Sequence, residues 1–208
     1  DRADPPDPGP HGGAGPSRRG PKTIDLLATV DPEKDFRTGG KWTMVNGALT
    51  CTRGSLVPKF TFPYQPPEEY DVTFTFAQAK LRNSIGVILP NPNGGGFAMH
   101  ISGDGGRSVS ISAENAKYKR KFPRPVIQVG VKYRVVLKVR KQSLQATING
   151  TPVVNLPTDY TDLKLGTWHR VNDPSKVVVF CDDPMSFYEV KVTEVTGEGA
   201  LTRFPVEK

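Results

Sequence analysis

Between Val131 and Val154 the chain reads VKYRVVLKVRKQSLQATINGTPVV, and few architectures can accommodate it. Val131, Tyr133, Val135, Leu137 and Val139 alternate with Lys132, Arg134, Lys138 and Arg140. A period of two belongs to a strand with one buried and one solvated face. The alternation resumes in Leu144, Ala146 and Ile148, with Gln145 and Thr147 between them. Asn149-Gly150 follows, a pair that tolerates the positive φ angles of a two-residue hairpin turn, and Thr151–Val154 begins a third strand. The stretch therefore predicts three consecutive antiparallel strands with a cationic outer face.

The rest of the chain continues in the same way. Its 20 Pro and 21 Gly interrupt regular structure, and no window carries a sustained helical apolar stripe. Asn46-Gly47 predicts a second tight hairpin, joining Lys41–Val45 to Ala48–Thr52. Leu56–Phe62, Ser84–Leu89, Arg107–Ala113 and Phe187–Val195 read as further strands. Tyr70, Val72, Phe74 and Phe76 alternate with Asp71, Thr73 and Thr75, the clearest aromatic strand in the sequence. Phe97, Met99 and Ile101 form one face, with Ala98, His100 and Ser102 on the other. Val177–Phe180 reads as a strand buried on both faces, Asp159–Leu165 as a connection, and Trp168–Val171 as a short edge strand. Short strands with turn signals about every 8–12 residues predict an all-β fold, a two-sheet antiparallel jelly-roll sandwich. No repeat of fixed period points to a propeller.

A chain of 208 residues can build one such domain with a sizeable core. Residues 1–21 contain six Pro, five Gly and only two Ala as apolar side chains. Such a segment buries too little surface to offset its ordering entropy. It reads as a disordered linker to a neighbouring domain, with a single sandwich over 22–208. No apolar run approaches the roughly 20 residues of a membrane helix.

Several features together resemble a known family: Asp25-Leu-Leu27 with Val30-Asp-Pro32, Gly40-Lys-Trp42, Phe62-Pro-Tyr-Gln-Pro-Pro-Glu-Glu-Tyr-Asp71, Asn149-Gly150 and Val195-Thr-Gly-Glu-Gly199. Over roughly Ile24–Arg203 the chain is similar to the concanavalin A-like jelly-roll modules abundant in planctomycete bacteria, related to the 3-keto-disaccharide hydrolase domain family. The resemblance implies two antiparallel sheets, one concave, and a module set behind a flexible linker in an extracytoplasmic (periplasmic or secreted) protein. In the hydrolase branch it implies a catalytic acid on a central strand and a His near the penultimate strand. Here the strand Phe97–Ile101 offers His100 and no carboxylate, and Phe180–Met185 has no His. The reading is therefore a non-catalytic module that binds a carbohydrate or protein ligand, with the hydrolase as its alternative.

Glycoside hydrolysis needs two carboxyl groups facing each other across a groove. The available acids, Glu68-Glu69, Asp104, Glu114 and Asp182-Asp183, all fall in turns or at strand ends. Sugar sites combine an aromatic platform with directional polar groups, and Arg82, Asn83, His100, Ser108, Ser110 and Trp168 could share one polar sheet face. Trp42, in an opening strand, reads as a core side chain. The net charge is +7, from 28 basic and 21 acidic residues. Lys117, Lys119, Arg120, Lys121 and Arg124, interleaved with Tyr118 and Phe122, read as a basic loop that could hold a polyanion, either a sulfated glycan or a single-stranded nucleic acid. No nucleic-acid-binding fold signature accompanies it. Cys51 and Cys181 lack metal-ligand spacing; they admit either one disulfide or two buried thiols. No cofactor or metal motif occurs.

Overall fold

In the computed structural model the described residues are 20–31, 33–35, 37–52, 57–80, 85–112, 118–124, 126–182 and 184–202. In chain order the strands begin with β1 (Thr23–Asp25), β2 (Arg37–Thr38), β3 (Lys41–Val45), β4 (Ala48–Thr52), β5 (Lys59–Thr61) and β6 (Tyr64–Gln65). They continue with β7 (Glu69–Gln78), β8 (Ile85–Pro90), β9 (Gly96–Ser102), β10 (Ser108–Ser112), β11 (Tyr118–Lys121) and β12 (Tyr133–Arg140). The last are β13 (Ser143–Ile148), β14 (Thr151–Pro157), β15 (Val178–Cys181), β16 (Met185–Thr196) and β17 (Ala200–Leu201).

Two large sheets result, and every strand pair is antiparallel. The first has the order β14-β13-β12-β7-β16-β4-β3, with β1 also pairing with β16. The second runs β11-β10-β9-β8-β15-β5-β2, and β6 pairs with β17 in a small separate sheet. This is the jelly-roll sandwich expected from the alternation.

Tyr70, Val72, Phe74 and Phe76 of β7 and Tyr133, Val135, Leu137 and Val139 of β12 are all buried, and so are Phe97, Met99 and Ile101 of β9 in the facing sheet. All belong to one core cluster shared by the two sheets. Each fully buried Phe of this layer contributes about 1.5–3 kcal/mol through removal from water. Trp42 lies in the same core, its ring 5.6 Å from Phe60 and 6.4 Å from Phe187. Both Asn-Gly hairpins form as expected, with φ of 49° and 77° at Asn46-Gly47 and 46° and 79° at Asn149-Gly150.

The structure corrects two expectations and decides one open alternative. Trp168–Val171 is not a strand; Thr167–His169 forms a single 3-10 turn. The basic segment is not a loop throughout, because Tyr118–Lys121 is strand β11, at the edge of the second sheet. Of the two alternatives for Cys51 and Cys181, the structure has the second, two buried thiols with no disulfide between them. Each packs in the core as a small apolar side chain. We therefore expect the melting temperature to be unchanged by a reductant. A thiol-reactive chromophore should label the protein only once it unfolds; rapid labelling of the native protein would contradict this packing.

Candidate ligand-binding face

The pairing register sets one row of residues straight across the second sheet. Lys119 of β11 lies opposite Ser110 of β10, which lies opposite His100 of β9. The row continues through Gly86 of β8 and Phe180 of β15 to Lys59 of β5. Register partners project from the same face of a sheet. Because Val109, Met99, Val87 and Val179 belong to the core, their neighbours in this row project outward.

At the centre of that outer face lies a second apolar cluster of Ile88, Ala98, Val178 and Phe180. It is covered by Val57, Leu165 and Val171. The long connection between β14 and β15 thus folds back over the sheet, and this explains why β8 and β15 are buried along their whole length. Its ends are anchored. The Tyr160 hydroxyl donates to the Ser143 carbonyl, and the Tyr160 ring lies 5.7 Å from Phe97. At the other end the buried Lys176 ammonium donates to the Thr202 carbonyl at 3.0 Å and pairs with Asp173.

Between these anchors the 3-10 turn carries His169 onto the sheet. His169 Nε2 and His100 Nε2 lie 2.7 Å apart, with the rings nearly perpendicular at 81°. A hydrogen bond between two ring nitrogens holds one proton. One ring therefore presents Nε2–H, while the other accepts at Nε2 and keeps its proton on Nδ1. Burial pushes the His100 pKa down to about 4, with a smaller contribution from His169. Burial, and then the charge of Lys59, lowers that of His169. Both imidazoles are neutral at pH 7. Lys59 is itself pushed down by burial, while Asp182 draws it back up.

Phe180 completes the wall, its ring 5.0 Å from that of His100. Gly86, which separates the two in the row, makes this approach feasible. A Cβ there would lie 2.6 Å from the Phe180 ring and would overlap the Met99 carbonyl. The result is a cleft of about 260 Å³ lined by Val57, His100, Trp168, His169, Phe180 and Asp182. Trp168 stands at its rim and is 80% exposed, the most exposed large apolar side chain among the described residues.

Of the residues expected on a polar face, His100, Ser108, Ser110 and Trp168 lie on this one. Ser108 is buried and Ser110 partly so. Arg82 and Asn83 lie outside the described residues, as do Lys117, Glu114 and Asp183. Sequence reasoning missed His169, Phe180, Lys59 and Val57 as members of the site. The one available signal was the continuous apolar run Val177–Phe180, whose outward members require a cover.

The other predicted groups take several positions. Lys119 and Lys121 both pair with Asp104, at 3.2 and 3.5 Å. Lys119 beside it holds the Asp104 carboxyl below its usual value. Arg120 turns the other way, donating to the Pro152 carbonyl and stacking on Phe122. Arg124 is exposed. Glu68 pairs with Lys141. The Pro-rich stretch after Phe62 shapes a separate cleft of about 370 Å³ at the rim of the sandwich. Beside it the buried Glu194 accepts from the Tyr64 hydroxyl and from Gly199 N–H, a structural clasp. Among the described residues no group of three or more His, Cys, Asp or Glu is placed to hold a metal ion. No helix among them is long and apolar enough to cross a membrane.

No family model matches the sequence, and no curated protein matches it. Solved structures do match in fold. A Bacillus subtilis protein of unknown function with a galectin-like fold aligns with a TM-score of 0.56 and 13% identity, over 83% of this chain and 94% of its own. The carbohydrate-binding module CBM66 from Bacillus subtilis aligns with a TM-score of 0.55 and 10% identity, over 76% and 94%. A family 16 endo-glucanase from Bacteroides ovatus aligns with a TM-score of 0.50 and 11% identity, over 82% and 99%. At these identities the likeness defines the fold class. The chain is a jelly-roll β-sandwich of the concanavalin A-like kind.

Proposed function

We propose that this protein is a non-catalytic carbohydrate-binding module whose ligand docks on the outer face of the second sheet, with a sugar ring held against Trp168 in the cleft. The observation that carries this reading is the Trp168 indole, 80% exposed at the rim of a cleft whose floor is His100, His169 and Phe180. What distinguishes this ring from any singly exposed apolar side chain is its place at a cleft that also holds polar groups, the mix of aromatic surface and a few directed polar groups that ligand sites use. Beside it the imidazoles and Ser110 supply hydrogen-bonding groups of fixed direction, the combination sugar sites use. The fold is shared with a carbohydrate-binding module and an endo-glucanase, which fits the reading. In this view residues 1–21 tether the module to a neighbouring domain of an extracytoplasmic protein.

Trp168→Ala tests it. Calorimetric titration against a panel of oligosaccharides should show affinity falling at least about 30-fold, the loss typical of a Trp anchor. The melting temperature should not move. His100→Ala with Ser110→Ala should weaken the same ligands. Full retention of binding in both variants would remove the reading.

One observation favours a second reading, hydrolysis of a 3-keto-disaccharide. Asp182 shares the cleft with two histidines. The row itself carries no carboxylate, whereas glycoside hydrolysis ordinarily employs two. Turnover of a 3-keto-glycoside that is lost in Asp182→Asn would establish the second reading over the first.

A further inference from the structure

The sequence presents the polar strand face and the basic segment as separate candidates, yet the pairing register makes them one surface. Ser110 lies opposite Lys119, and Ser108 opposite Lys121. Val109 and Ile111 fill the core, so the two serines, and with them both lysines, project outward on the side that carries His100. Tyr118 and Arg120 alternate with them and point to the other sheet, where they donate to the Val153 and Pro152 carbonyls. The face thus changes character along its row. It is aromatic at Trp168 and Phe180, neutral and polar at His100 and Ser110, and cationic at Lys119. From β15 to β11 there are four strand spacings, about 19 Å, the span of a short oligosaccharide rather than a single ring.

The charge at the far end is only partly balanced. Among the described residues, Lys119 and Lys121 both pair with the carboxylate of Asp104, two positive charges against one negative. That carboxylate is presented by the turn Gly103–Gly106, in which Asp104 and Gly105 have left-handed φ of 53° and 68°. Arg107 is exposed next to this edge, its carbonyl accepting from Phe122 N–H. A neutral glycan lying across the row would leave this end without a complementary partner. A carboxylate or sulfate would find two exposed ammonium groups, at 43% and 69% side-chain exposure.

We propose that the ligand is an anionic glycan that lies across the strands, one ring on Trp168 and its acidic groups on Lys119 and Lys121. This rests on the carbohydrate reading above. Uronate carboxylates and sulfate esters share the required chemistry, and matched pairs of polymers separate them: polygalacturonate against its methyl ester, and dextran sulfate against dextran. A single-stranded oligonucleotide completes the panel.

At least one anionic polymer should bind about tenfold or more tightly than its neutral partner. Lys119→Gln with Lys121→Gln should erase that preference, and Trp168→Ala should weaken the same polymer. Raising the salt to about 1 M, where the screening length is about 3 Å, should also erase it. Both lysines are exposed, so an unchanged melting temperature will show that the double variant is folded. Trp168-dependent binding with no preference for charge would overturn the anionic assignment and leave the carbohydrate reading standing. Failure of every glycan to bind would remove both. Anionic binding indifferent to Trp168 would break the continuity of the face, and preference for the oligonucleotide would replace the glycan by a different polyanion.

Discussion

Gly86→Ala is expected to lower the unfolding free energy by about 3 kcal/mol, the upper part of the range for overpacking a well-filled interior. The added methyl would meet the Phe180 ring at 2.6 Å on one side and the Met99 carbonyl on the other. The ring could rotate away, but the carbonyl belongs to β9, which pairs with β8 on either side of Gly86. Relief therefore requires the two central strands to part. The same change should displace Phe180 from His100 and weaken any ligand of the cleft. Gly20→Ala is the natural control, since nothing lies within 4 Å of that site, and it should shift stability by less than about 0.5 kcal/mol. Urea unfolding of the two variants decides the matter; a Gly86→Ala protein as stable as its parent would show that the cleft is not built on this close approach.

The second large effect is a loss of stability on acidification above the range where carboxylates titrate. An unfolded histidine has a pKa near 6.5, whereas burial lowers that of His100 to about 4. Between these values the unfolded chain binds a proton that the folded protein does not. Stability contributed by the neutral ring is therefore complete above about pH 6.5 and falls as the pH drops toward 4, by about 3 kcal/mol for His100. His169 acts in the same direction. Asp104, Asp173 and Glu189 are lowered from ordinary carboxyl values, and so they contribute mainly below this window. His11 is the only other histidine. His100→Gln with His169→Gln should thus flatten the profile from pH 7 to 4.5 in urea titrations. An equally steep profile in that double variant would refute the linkage.

Much of the framework was legible in the residues. The alternation in Tyr70–Phe76 and Tyr133–Val139 correctly separates core from solvent in the two strands that pair with each other through Tyr133↔Phe76 and Val135↔Phe74. Both Asn-Gly turns are where the chemistry places them. Trp42 is in the core, as its position in an opening strand suggested. The site was legible only in fragments. His100, Ser110 and Trp168 were recognisable as polar or aromatic groups available to a ligand, but nothing local indicates that Trp168 sits on a turn folded over the sheet. Leu165 and Val171, which hold that turn down, follow no period, because they belong to an irregular segment that takes its shape from the surface it covers.

By itself the sequence determined most of the strands, their inward faces, the tight turns and hence the sandwich, because each depends on residues two to four positions apart, whose geometry the backbone dictates locally. Only the tertiary structure decided what the outer face of the second sheet contains. His100 and His169 are 69 residues apart in the chain and 2.7 Å apart in space. Lys119 joins His100 on one row only because β10 pairs with both β9 and β11 in a particular register. Register is set by how two faces fill one core, a property of the whole assembly that no short stretch carries.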